Sequence, residues 1–147
     1  MKTRIVAAAA LALALTACSD KDSVEVSTAP GTAGDFKKNV GDRVHFDFDR
    51  ACISEASSAQ LKKQADWLKQ YPNTKATIVG KCDERGGREY NIALGQKRAD
   101  NASTVLKQHG ASGVTTVSYG KDRPEVANAT TEEQHAQNRV AVTEING

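Results

Sequence analysis

Three groups of residues in this chain could do chemistry. The first is GKCDERGGREYN, Gly80 to Asn91, which sets six charged residues around a pair of glycines. That is more paired opposite charge than a plain turn needs. Its spacing is neither that of a phosphate loop nor that of a metal site. On the residues alone, Asp83, Glu84, Arg85 and Arg88 are either a solvated charge cluster or a binding loop. The second group is Asp47 and Asp49 in DFDRACISE. Two carboxylates raise the question of hydrolysis, but same-face neighbours on one strand sit side by side and cannot flank a scissile bond. The segment also opens like a calcium loop, yet Ala51 and Cys52 stand where an oxygen ligand and the turn glycine are required. The third group is the cysteines, Cys18, Cys52 and Cys82. With His45 they have no zinc spacing, and no Ser-His or Cys-His activation motif is present. No enzymatic activity, no metal and no cofactor are expected.

These groups must be positioned by regular elements. RVHFDFD, Arg43 to Asp49, alternates strictly, with Val44, Phe46 and Phe48 on one face, so the pattern predicts a half-buried strand. Ser54 offers a helix N-cap, with Ile53 before it. A helix follows, carrying Leu61, Ala65 and Leu68 on one side and ending at Pro72 and Asn73. TKATIVG, Thr74 to Gly80, is a second strand. After the charged loop a second helix runs from about Glu89 to His109, with Gly110 as its C′ residue. Arg98 shares a stripe of that helix with Leu94, Ala102 and Val105. A charge in an apolar stripe points to a buried or site-facing role. Val114 to Gly120 and Arg139 to Ile145 are further strands, joined by a long polar connection with a helical turn around Glu132 to Gln137. Trp67 and Tyr90 are read as packing residues. The order β-α-β-α-β-(short α)-β places the chain in the α+β class, with helices packed on one face of a sheet. There is no internal repeat.

The start of the chain sets the compartment. Lys2 and Arg4 precede an apolar run, Ile5 to Leu15, of signal-peptide length. Leu15 to Cys18, LTAC, resembles the lipobox of bacterial lipoproteins, in which cleavage before the cysteine leaves it to be lipidated. That resemblance implies a signal at 1–17 and a lipid anchor on Cys18, and Ser19 points to the outer membrane. Removing 1–17 takes away Lys2 and Arg4 and no acid, so the 20 basic residues fall to match the 18 acidic ones. No basic field is left for nucleic acid. Ser19 to Asp35 is rich in small polar residues and has no aromatic, so residues 18–39 are expected to be a flexible tether and 40–147 the domain. From Cys18 to Asp42 a fully extended chain would reach roughly 80 Å. In an oxidising periplasm, Cys52 and Cys82 could form a disulfide or remain two separate thiols.

Four stretches then carry a family resemblance: FDFD (46–49), GKCDERGGREYNIALGQKRA (80–99), TVSYGKDRP (116–124) and AQNRVAV (136–142). In this order and at these separations they resemble the OmpA-like peptidoglycan-binding domains, and in particular their lipoprotein members. The resemblance implies a β-α-β-α-β-β sheet, and a ligand that is the diamino acid of a peptidoglycan stem peptide, usually diaminopimelate. Its free end carries an ammonium and a carboxylate on one carbon. By resemblance Asp83 takes the ammonium and Arg98 the carboxylate, both through charge-assisted bonds. Asp49 is a third contact, with Phe48 as an apolar wall beside it. Glu84 and Arg85 line the site, Gly86 and Gly87 let the loop turn, and Asn91 ties it to the helix. Gly87 stands where a Thr is frequent, so any hydroxyl contact there is lost. The implied function is a non-catalytic tether between outer membrane and cell wall, its domain facing the periplasm. The implied partners are peptidoglycan, the outer membrane through the lipid, and TolB within the Tol-Pal system of envelope integrity and cell division. A wall-binding lipoprotein without Tol partners is the alternative.

Overall fold

The computed structural model describes residues 26–146. Lys2, Arg4, the apolar run and Cys18 lie outside the described residues. The elements in chain order are α1 (Ala33–Asp35), which runs into a π-helical turn (Phe36–Val40), β1 (Arg43–His45), α2 (Glu55–Gln70), β2 (Lys75–Lys81), α3 (Arg88–Gln108), β3 (Val114–Gly120), α4 (Glu132–Asn138) and β4 (Val140–Asn146). The four strands form one sheet in the order β1-β4-β2-β3. β2 and β3 are parallel, and β4 is antiparallel to both of its neighbours.

Local chemistry accounts for the helix boundaries. The Ser54 side chain accepts the Ser57 N–H and caps α2. Thr131 and Gln134 form a reciprocal capping box on α4. At the end of α3, Gly110 has φ +92°. Its N–H donates to Lys107 and that of Ala111 donates to Leu106, the paired bonds of a Schellman motif.

The main core lies between the sheet and the helices α2 and α3. Ala76 and Ile78 of β2, Val44 of β1 and Ala141 of β4 bury against Leu61, Leu68 and Leu106. Thr143 and Gln64 add a buried polar contact there, Oγ1 to Oε1 at 2.7 Å. Val79 and Val142, paired across β2 and β4, face the other way. On that face Glu125 of the polar connection reaches Arg43 at 2.9 Å and Lys81 at 2.5 Å.

Two expectations change. The strand expected over Arg43 to Asp49 is only three residues long. The Phe46 N–H still donates to the Arg139 carbonyl, but the chain then turns, with Arg50 N–H donating to Asp47 and Asp49 at φ +56°. That backbone state cannot continue a strand, and aspartate is among the few residues that accept it readily. Phe46 enters the core, whereas Phe48 remains 53% exposed, off the face assigned to it.

The expected boundary at residue 40 also falls inside the folded unit. Phe36 is 1% exposed and stands edge-on to Trp67, with ring centroids 4.9 Å apart. The Asp35 carboxylate accepts from Trp67 Nε1 at 2.9 Å and from Gly31 N–H at 3.0 Å. One aromatic in a polar run is enough to dock it, because burying such a side chain stabilises by about 1.5–3 kcal/mol.

Candidate functional site

β2 ends at Lys81, and the charged loop begins where its carbonyl meets α3. The helix can approach because Gly80 and Gly95 face each other without side chains. One turn further along α3, Arg98 is carried over the end of β2. Its Nε donates to Arg50 O at 2.8 Å, NH1 to Lys81 O at 2.9 Å and NH2 to Asp47 O at 3.1 Å. Those bonds pin the β1–α2 loop, the end of β2 and the helix to one guanidinium. Arg98 is 1% exposed. Among the described residues it has no carboxylate within ion-pair distance. Each terminal nitrogen still holds a donor beyond the carbonyl bond it makes. Burial draws the Arg98 pKa below its ordinary value, with the negative charge of Asp83 working in the opposite direction.

Asp83 lies two residues past the end of β2 and is 4% exposed. Its Oδ2 accepts from Arg85 NH2 at 2.7 Å and from Arg139 NH1 at 3.4 Å, and its Oδ1 accepts the Arg85 N–H at 3.2 Å. Burial alone would raise its pKa. The bonds from Arg85, side chain and backbone, together with Arg139, outweigh burial and hold the carboxyl below its ordinary value.

Asp83 and Arg98 line one hollow of about 190 Å³, along with Phe48, Asp49, Arg85 and Tyr90. Its floor holds a buried cation without an ion-pair partner and a buried anion. Its rim is the exposed Phe48 ring, over which the Arg85 guanidinium lies at 4.1 Å. The dimensions suit a small polar group rather than a large apolar ligand. A group bearing both an ammonium and a carboxylate would find an acceptor and a donor in the same space.

The loop is held by contacts that its sequence does not display. Asn91 is buried and donates to the Arg85 carbonyl at 2.9 Å, the tie expected of it. Lys121, from beyond β3, donates to the Gly86 carbonyl at 2.7 Å, and Arg88 pairs with Asp122 at 2.9 Å. Gly86 has φ +93°, which a side chain would strain.

The other expected residues divide. Phe48, Asp49 and Arg85 line the hollow. Glu84 and Gly87 do not: Glu84 is exposed, and Gly87 is the N-cap of α3, with open space where a Cβ would be. Tyr90, read as a packing residue, is instead exposed on the rim, where its hydroxyl donates to Asp49. It stands one turn into α3 on the side that Asp49, in its left-handed conformation, approaches.

The bond considered between Cys52 and Cys82 is not formed; both are free thiols. Cys82 is buried and donates its S–H to the Asn91 carbonyl at 3.3 Å, and burial pushes its pKa up to about 11. Cys52 is exposed and opens into a separate hollow with His45, Ser54 and Arg139. Closeness to the two aspartates in sequence therefore does not bring the sulfurs together. Among the described residues no cluster of His, Cys, Asp and Glu could hold a metal ion.

The sequence marks Arg139 only as the start of a strand. It is buried between Asp83, the Phe46 carbonyl (2.9 Å) and Glu132 (2.9 Å). The one signal available was a charge heading the apolar run RVAV.

Comparison with known proteins agrees with this geometry. The OmpA family model matches residues 45–139. The peptidoglycan-associated lipoprotein of Brucella melitensis is 46% identical over 82% of this chain and 73% of its own. That of Agrobacterium fabrum is 42% identical over 97% and 87%. The crystal structure of the peptidoglycan-associated lipoprotein from Burkholderia pseudomallei superposes with a TM-score of 0.68 at 39% identity, covering 71% of this chain and 90% of that one. With an α+β sheet in the same arrangement and these identities over most of its length, the chain belongs to the OmpA family, among the peptidoglycan-associated lipoproteins.

Proposed function

We propose that this chain binds peptidoglycan without covalent attachment, by holding the free amino acid end of a diaminopimelate-type residue in the stem peptide. The observation that carries the proposal is the pairing of Asp83 and Arg98 in one small hollow. The ligand carboxylate meets the unused donors of Arg98, and its ammonium meets Asp83. Phe48 and Tyr90 form the walls along which the side chain of the diamino acid runs out to the rest of the wall. In this reading the site holds the wall and does not cut it.

The anchor is the other half of the function. A lipid on Cys18 places the domain on the periplasmic side of the outer membrane. No helix among the described residues is long and apolar enough to cross a membrane. From Cys18 to Gly31, where packing against α2 begins, the chain can extend at most about 45 Å. The protein thus joins outer membrane to wall across a short leash. In that role it works within the Tol-Pal system, with TolB as partner, in envelope integrity and cell division.

The test is co-sedimentation of the full-length protein, in detergent, with purified sacculi. Bound protein should be released by free diaminopimelate and not by Nα-acetyl-lysine, whose ammonium and carboxylate sit on different carbons. Failure to sediment, or release by both compounds alike, would sink the wall-binding reading. Cys18→Ser should abolish uptake of labelled fatty acid, and co-precipitation with TolB from the periplasm tests the partner.

A further inference from the structure

One oxygen of Asp83 carries two guanidinium groups of different character. Arg85 stands on the loop, its side chain 38% exposed, and reaches Oδ2 at 2.7 Å. Its remaining contacts are the exposed Phe48 ring and Glu132 at 3.4 Å. Arg139 has a side chain only 9% exposed and is fixed from several sides. It sits between α4 and β4, its Nε donates to the Phe46 carbonyl, and its NH1 donates to Glu132 and Asp83. From this asymmetry we propose that Arg139 is a positioning residue of the binding site. It keeps Asp83 ionised and oriented, while Arg85 is an exchangeable cation whose place the ligand ammonium takes. The inference rests on the head-group reading above.

A carboxylate this deeply buried cannot stand without a cation; it would take up a proton instead. If Arg85 were its only partner, the ligand could displace Arg85 only by passing through an unpaired state. With Arg139 fixed beside it, Asp83 stays charged throughout the exchange. The 3.4 Å separation leaves room for the Arg139 bond to shorten as Arg85 leaves. The charges around Asp83 come from every element packed on it. Arg85 belongs to the loop, Arg139 and Glu132 to α4 and its end, Arg98 to α3, and the Cys82 thiol is its chain neighbour. His45 of β1 feels the charge of Arg139 from the far side.

The test uses the full-length protein in detergent and two readouts. The first is sacculus binding between pH 3 and 7; the second is the Asp83 carboxyl pKa, followed by carbon NMR without sacculi. Arg139→Gln should weaken binding at neutral pH by about tenfold, the size of one charge-assisted bond. It should also move the acid limb of the binding curve and the Asp83 pKa upward. Arg139→Lys should restore most of both. Titration of the wall is common to all variants and cancels in the comparison. A folded Arg139→Gln protein with the parent's affinity, acid limb and Asp83 pKa would overturn the proposal. If that variant does not fold, Arg85→Gln decides through the NMR readout. With Arg139 alone on Asp83, its pKa should stay at or below the ordinary value near 4; a rise well above it would also overturn the proposal. Failure of the parent to bind sacculi would refute the function and leave the Asp83 pKa as an independent measure of Arg139.

Discussion

Gly80 and Gly95 meet backbone to backbone: a Cβ on Gly80 would lie 1.7 Å from the Gly95 carbonyl oxygen. A Cβ on Gly95 would lie 2.3 Å from Ser118 Oγ. This contact sets the distance between α3 and β2, and so the reach of Arg98 over the end of β2. Gly80→Ala and Gly95→Ala should each destabilise the protein by at least about 1–3 kcal/mol, the usual scale of overpacking. Because Gly80 meets backbone and Gly95 meets a side-chain hydroxyl, Gly80→Ala should be the worse. Urea unfolding checks the order, and sacculus binding should fall in both as Arg98 is displaced.

Asp83 and Arg98 should each be needed for binding. Asp83→Asn keeps the shape and removes the charge; Arg98→Lys keeps the charge and removes the fork. Each loses a charge-assisted contact of roughly 1.5–3 kcal/mol, or about one to two orders of magnitude in affinity. The double variant should lose less than the sum, since one misheld end spoils the other. Glu133→Ala, exposed on α4, should change nothing. Sacculus co-sedimentation with circular dichroism as the folding control decides, and parental binding by both folded single variants would mean the wall is held elsewhere.

The lowered pKa of Asp83 has a signed consequence for stability. Its folded value lies below its unfolded one. Its stabilisation is therefore fully present above the unfolded value, near pH 4, and is lost as pH falls through the folded one. The stability difference between the parent and Asp83→Asn should be flat from pH 7 to about pH 5 and shrink below about pH 4. Urea titrations at a series of pH values measure it; a difference that grows on acidification would contradict the pairing.

The two thiols should react at very different rates. Cys52 is exposed and Cys82 is buried, with its pKa pushed up to about 11. Native protein purified from the periplasm without reductant should be alkylated at Cys52 within minutes and at Cys82 only after denaturation. A protein with no titratable thiol until reductant is added would restore the disulfide.

Phe36 should matter for stability and not for the ligand. Phe36→Ala opens a cavity beside Trp67 and should cost about 3–5 kcal/mol. The segment that carries Phe36, a clasp from Gly31 to Val40, lies by Tyr71 and, at Gly31 to Ala33, by Thr74, the opposite end of β2 from Asp83. Sacculus affinity of the folded fraction should be unchanged; a large fall in both together would show that the clasp supports the site.

Much of the scaffold was legible from local chemistry. The helices announced themselves through Ser54, the Leu61-Ala65-Leu68 stripe and Gly110, because caps and 3.6-residue periodicity are properties of neighbours in sequence. The importance of Arg98 was legible for the same reason: a charge in an apolar stripe needs a buried purpose. The charged loop and its family pattern pointed to Asp83 and Arg98, and the fold brings those two side chains to one hollow. Local pattern misled where tertiary contact overrode it. RVHFDFD alternates perfectly, yet Asp49 leaves the extended region and carries Phe48 to the rim. Phe36 lies in a segment of tether composition, yet Trp67 claims it. The two arginines on Asp83 come from two positions along the loop and from the far end of the chain, and Cys52 and Cys82 face different hollows. Periodicity and capping act over a few residues, so a sequence displays them directly. Which charge ends beside which is set by how strands order themselves in a sheet, and only the folded chain brings Asp83 and Arg139 to the same oxygen.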